Sequence, residues 1–143
     1  MRKSILVPAM MAMALMSAMF TSCKKDVPFS EALVGKWEVQ SERQIYSISG
    51  VKKFEYVYYY VSDELAFEFT SGGNVIISQT GDFPYTTTYT IEGNKITMEM
   101  GSTDIIWDKT SIDGSTITWS ETGTDIINNI TYDVEIVYTA AKQ

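Results

Sequence analysis

The chain has 143 residues, a formal net charge of −7, one cysteine and no histidine. That length holds one domain with a real core. An acidic domain lacks the basic patch that nucleic acid demands, and a single cysteine excludes an internal disulfide framework. Without histidine there is no Ser/His/Asp triad, no Cys/His dyad and no histidine metal site.

The N-terminal segment has three parts. Arg2 and Lys3 make a basic start, Ile5 to Phe20 is an apolar run, and Thr21-Ser22 precede Cys23. This is the order of a secretory signal. An uncleaved membrane span needs roughly 17–25 apolar residues. The run here barely reaches that, carries Pro8, and has lysines on its far side, so no charge bias sets an orientation. A free thiol or metal-ligand role for Cys23 lacks a partner residue. Phe20-Thr21-Ser22-Cys23 resembles the lipobox of bacterial lipoproteins. That resemblance implies cleavage before Cys23 and acylation of its sulfur and its new amino group. It also implies a chain tethered to the membrane for its lifetime, since two or more acyl chains anchor stably. Lys24, rather than Asp, follows the cysteine, which in that family favours the outer membrane.

The expected organisation is therefore a signal peptide over 1–22, an acylated cysteine and tether over 23–34, and one β domain over 35–143. Within the tether, Ser30 to Val34 suits a single helical turn with Ser30 as its cap.

From Gly35 onward the apolar residues recur with period two, and Thr, Val, Ile, Tyr and Trp abound, as in strands. Trp37 and Val39 alternate with Glu38 and Gln40. The next segment, Phe54 to Val61, is apolar on both faces: Phe54, Tyr56, Tyr58 and Tyr60 on one, Val57, Tyr59 and Val61 on the other. A helix would group Phe54, Val57, Tyr58, Val61 and Leu65, but aromatic and β-branched content favours a strand. The simplest expectation is that another part of the chain covers its outer face. The other two readings are a docking surface for an envelope protein and a stacking platform for a glycan, both through Tyr56, Tyr58 and Tyr60.

Leu65, Phe67 and Phe69 alternate with Ala66 and Glu68; Tyr85, Thr87, Tyr89 and Ile91 with threonines; Ile96, Met98 and Met100 with Thr97 and Glu99. Ile117 and Trp119 follow, and Ile130, Tyr132, Val134, Ile136 and Tyr138 close the series. Ser71-Gly72-Gly73-Asn74, Glu92-Gly93-Asn94-Lys95, Gly101-Ser102 and Asp113-Gly114 supply the positive φ of tight hairpins. The pattern predicts an all-β, up-and-down antiparallel meander of about eight or nine strands, closed into a barrel to remove its edges. A two-sheet sandwich is the alternative.

Gly35-Lys36-Trp37 at the start of the first strand looks like the Gly-x-Trp signature of lipocalins. Leu33 to Val39, the Phe67-Glu68-Phe69 strand and the Gly72-Gly73-Asn74 turn are similar to the lipocalin-like domains of bacterial lipoproteins. In lipocalins a late basic residue covers that tryptophan; here no arginine follows Arg43, and Lys142 lies beyond the last expected strand. Trp37 itself reads as a core aromatic.

The expected function is a non-enzymatic binding module for a small, mostly apolar ligand. The candidate lining is the inward aromatic set Trp37, Tyr85, Tyr89, Trp107, Trp119 and Tyr132. No cofactor or metal is implied, and no phosphate loop or calcium loop occurs. Glu38, Glu68, Glu99, Asp133 and Glu135 read as outward-facing, so no acid/base pair is expected.

Overall fold

The computed structural model describes residues 27–143. The expected signal peptide and the lipidation site Cys23 lie outside the described residues. A short helix, α1 (Phe29–Leu33), precedes nine strands. These are β1 (Gly35–Ile48), β2 (Val51–Tyr59), β3 (Leu65–Phe69), β4 (Asn74–Gln79), β5 (Tyr85–Glu92), β6 (Lys95–Met98), β7 (Ile105–Asp113), β8 (Thr116–Ile127) and β9 (Ile130–Lys142).

Every pairing is antiparallel, the sheet order is β2-β1-β3-β4-β5-β6-β7-β8-β9, and β9 returns to pair with β1. Eight strands thus close an up-and-down barrel, and the sandwich alternative falls. Closure removes the free edges that an open meander of this size would expose.

One strand departs from the simple meander. β1 is 14 residues long. Its first part, Gly35–Glu38, pairs with β3, while Ser41–Ile48 pairs with β2 on the same edge. A bulge between Val39 and Ser41 in the β1–β9 ladder marks the handover. β2 is therefore an extra strand outside the barrel wall. The far half of β8, from Glu121, pairs with β9 but not with β7. The far halves of β2, β1, β9 and β8 accordingly form a four-stranded extension that continues past one end of the barrel.

The hairpin tips explain why these ribbons run so long. Ser49 and Gly50, and Asn128 and Asn129, all have positive φ. Two consecutive residues of that kind make the turn whose twist matches the flanking strands.

The other end of the barrel is sealed. α1 is held by the Ala32 amide donating to the Pro28 carbonyl, with Pro28 rather than Ser30 at the cap position. Ser30 sits inside the first turn because the cap lies two residues earlier than expected. Leu33 is buried, and its carbonyl accepts a 2.7 Å hydrogen bond from Trp37 Nε1. Lys142, which β9 extends far enough to include, lies with Nζ 5.2 Å from the centre of the Trp37 ring and donates to the Ala32 carbonyl at 3.2 Å. The basic cover expected beyond the last strand is thus part of it. The core behind this seal is built on Trp37, Trp107, Trp119, Phe69, Ile96 and Ile117. Each large side chain so buried contributes about 1.5–3 kcal/mol.

Among the described residues, 27–143, eight strands close on themselves around one continuous core, which is the anatomy of a unit that folds alone.

Candidate binding cleft

Strand alternation and register select what faces the open end of the barrel. Phe67 pairs with Ile77, Leu65 with Gln79, and Trp119 with Tyr138, so each pair shares the inward face. The first residues of β7 complete the wall. A bulge between Asp108 and Ser111, with Lys109 at φ +51°, interrupts β7 just after Trp107. Together these residues bound an open cleft of about 670 Å³.

Its wall is a stack of three rings. Trp107 lies 3.7 Å from Trp119, and Trp119 lies 5.1 Å from Tyr138, both pairs within 14° of parallel. Phe67 meets Trp107 edge-on at 4.7 Å. Such contacts add about 0.5–1.5 kcal/mol each beyond area burial. Trp119 is 2% exposed, and its indole N–H has no acceptor among the described residues.

The polar lining is acidic or neutral: Gln79, Asp104, Asp108, Glu121 and Thr122. Glu121 is half-buried; burial first, and then the Glu42 carboxylate, push its pKa above the ordinary range. The Tyr138 hydroxyl is pushed up by burial, then by Glu121 and Glu42. Among the described residues the ion pairs are Lys36–Asp63, Lys52–Glu55 and Lys109–Glu135, so Glu121 has no cationic partner.

A second aromatic group occupies the extension. Tyr46 and Phe54 stack at 4.7 Å, and Tyr56 and Tyr132 meet them edge-on. Below it, the Tyr60 hydroxyl donates to Glu42 Oε2 at 2.7 Å, and Gln44 Nε2 donates to Glu42 Oε1.

Of the six aromatics expected to line one cavity, the structure brings only Trp107 and Trp119 to the cleft. Trp37 is 0% exposed at the sealed end, consistent with its reading as a core residue. Tyr89 also serves that end: it packs edge-on against Phe69 at 5.0 Å and donates to the Thr70 carbonyl. Tyr85 shares a strand face with Ile77 but is 46% exposed and does not line the cleft. Tyr132 lies on the extension, because β9 outruns the barrel wall there.

Two expectations about outer faces are corrected. No described residue covers the outer face of the tyrosine-rich strand, and Tyr59 is 74% exposed. Among the described residues the strand pairs only with β1, and it projects beyond the barrel, so none of them lies over it. Tyr56 and Tyr58 are exposed as a surface reading requires, whereas Tyr60 is only partly accessible and already bonded. Glu38, expected in solvent, is buried because the loop before β3 folds over it and the Asp63 amide donates to its Oε1 at 2.7 Å.

Sequence reasoning missed Tyr138, Phe67, Ile77 and Glu121 as lining residues. The signal that finds Tyr138 is Asn128-Asn129: a two-residue turn there fixes the β8–β9 register and sets Tyr138 beside Trp119.

Comparison with protein-family models, curated proteins and solved structures gave no significant match.

Proposed function

We propose that this chain is a non-enzymatic, lipid-anchored binding protein of lipocalin-like design that holds a small, mostly apolar ligand. The observation that carries this reading is the open cleft of about 670 Å³ walled by the Trp107–Trp119–Tyr138 stack. That volume falls in the range of about 300–1,000 Å³ common for small-molecule sites. One barrel end is plugged and the other open, which gives a cup with a single mouth. The anchor rests on the lipobox resemblance at Cys23, and with Lys24 it favours the outer membrane.

The test is native mass spectrometry of the protein taken from its own membranes, together with titration of the 27–143 segment with the neutral dye phenylnaphthylamine. A co-purifying small molecule, or saturable one-to-one dye binding weakened by Trp107→Ala, is expected. A cup that carries nothing and binds no dye would overturn the proposal. Intact mass before and after Cys23→Ser checks the acyl groups.

A second reading is favoured by the exposure of β2: Tyr56 is 60% exposed within an uncovered aromatic face. This surface suits a glycan or an envelope protein, since ring faces supply contact area and hydroxyls supply direction. The double substitution Tyr56→Ala, Tyr58→Ala removes both exposed rings. Unchanged retention on envelope glycan or envelope protein fractions counts against it.

A further inference from the structure

We infer that the cleft selects a ligand with a positively charged head on a flat apolar body. The inference rests on the binding reading above and names the chemistry of the occupant. Three carboxylates, Asp104, Asp108 and Glu121, line the cleft, and among the described residues no lysine or arginine does.

Glu121 is the informative one. It stands where the barrel mouth meets the extension, on the same sheet face as Tyr138 and Glu42. A half-buried carboxylate beside a second carboxylate is normally offset by a cation or by several donors. Lys109 is paired with Glu135 at 2.9 Å, and Arg43, in register with Val57 and Val137, lies on the opposite face of β1 from Glu42 and Gln44. Glu42 in turn accepts from Tyr60 and Gln44, neither of which supplies charge. The wall opposite is apolar, with Leu65, Phe67 and Ile77.

An ammonium group at Glu121 with its hydrocarbon body against Phe67 and Ile77 satisfies both halves of the site. The chain's net charge of −7 works in the same direction, drawing cations toward the mouth and repelling anions. An anionic amphiphile such as a fatty acid meets three uncompensated carboxylates and is disfavoured. A cluster of acids alone would be an ordinary solvated surface; these line a cleft whose opposite wall is apolar and in which Glu121 is half-buried.

The experiment uses three probes with one bicyclic body: naphthylmethylammonium, naphthylmethanol and naphthoate. Each is titrated calorimetrically into the 27–143 segment and into its Glu121→Gln and Glu68→Gln variants. Glu68 is exposed on the outer face of β3, so its variant makes the same change in net charge away from the cleft. The ammonium probe is expected to bind about tenfold more tightly than the alcohol, and naphthoate most weakly. Glu121→Gln is expected to cut that preference about fivefold and leave the alcohol within about twofold, with Glu68→Gln unchanged. Equal affinities for ammonium and alcohol overturn the inference while leaving the binding reading intact. A preference that Glu121→Gln does not reduce overturns it as well. Failure of all three probes to bind overturns both. Thermal melts of each variant confirm that a loss is not unfolding.

Discussion

Replacing Gly35 by alanine tests the seal at the closed end of the barrel. Gly35 has φ +128°, a region that side chains strongly avoid, and an added Cβ would sit 2.8 Å from Lys142 Cε. The backbone strain costs about 2 kcal/mol. The steric contact is with the far end of a flexible side chain, so the chain yields by moving Lys142 off the Trp37 ring. That forfeits about 0.5–1 kcal/mol of cation–π attraction and about 1 kcal/mol of hydrogen bonding to the Ala32 carbonyl. The total is roughly 3–4 kcal/mol, which for a domain of this size lowers Tm by roughly 10–20 °C. Urea and thermal unfolding of Gly35→Ala, Lys142→Ala and the double variant separate the two contributions. In the Lys142→Ala background Gly35→Ala should cost only the strain, about 1.5–2 kcal/mol less. A cost below about 0.5 kcal/mol for Gly35→Ala, or identical costs in both backgrounds, refutes the argument that Gly35 is glycine so that Lys142 can close over Trp37.

Three further outcomes are expected. Trp37→Phe removes the indole N–H that donates to Leu33 and leaves a void, so it should cost about 2–4 kcal/mol in urea unfolding. Glu121→Gln should stabilise the protein at neutral pH and make no difference in acid. Burial, and then the Glu42 carboxylate, raise the folded-state pKa of Glu121 above the ordinary carboxylate value, so its penalty is absent below that ordinary value and fully present above the raised one. The groups facing it are Glu42 and Tyr138, with Asp104 and Asp108 along the same cleft. Following the stability difference between wild type and variant across pH checks the sign; a difference that grows toward acid contradicts it. Asn129→Gly should raise stability by a few tenths to about 1 kcal/mol, because position 129 has φ +64° and glycine adopts it freely. A drop in Tm would show that the Asn129 side chain contributes something the turn geometry does not.

The closed barrel was legible because alternation is a local signal: the side-chain period of a strand is visible in runs such as Ile130 to Tyr138 without knowing any partner. All four expected turns, at Gly72-Gly73, Gly93-Asn94, Gly101-Ser102 and Gly114, join consecutive antiparallel strands. The cleft was less legible. Inward-facing is one property and cavity-lining another: Trp37 and Trp107 carry the same side chain, yet only the second reaches the open end. β2 was readable as a strand but not as an extra one, because nothing local says that β1 is long enough to serve two partners on one edge. Tyr132 and Tyr138 sit six residues apart on one face of β9, and only the point where β7 stops pairing with β8 assigns one to the extension and the other to the barrel.

The sequence by itself determined the class of the protein: hairpins of alternating residues, an acidic chain without histidine, and a glycine and tryptophan spaced to open a barrel. Those properties depend on residue type and short-range spacing, which a linear chain displays directly. The tertiary structure alone decided which end is sealed, where the cleft opens, and that Glu121 stands there without a counter-charge among the described residues. Those depend on register and strand length across the closure of the sheet, where residues more than a hundred positions apart, Ala32 and Lys142 among them, meet only once the barrel has formed.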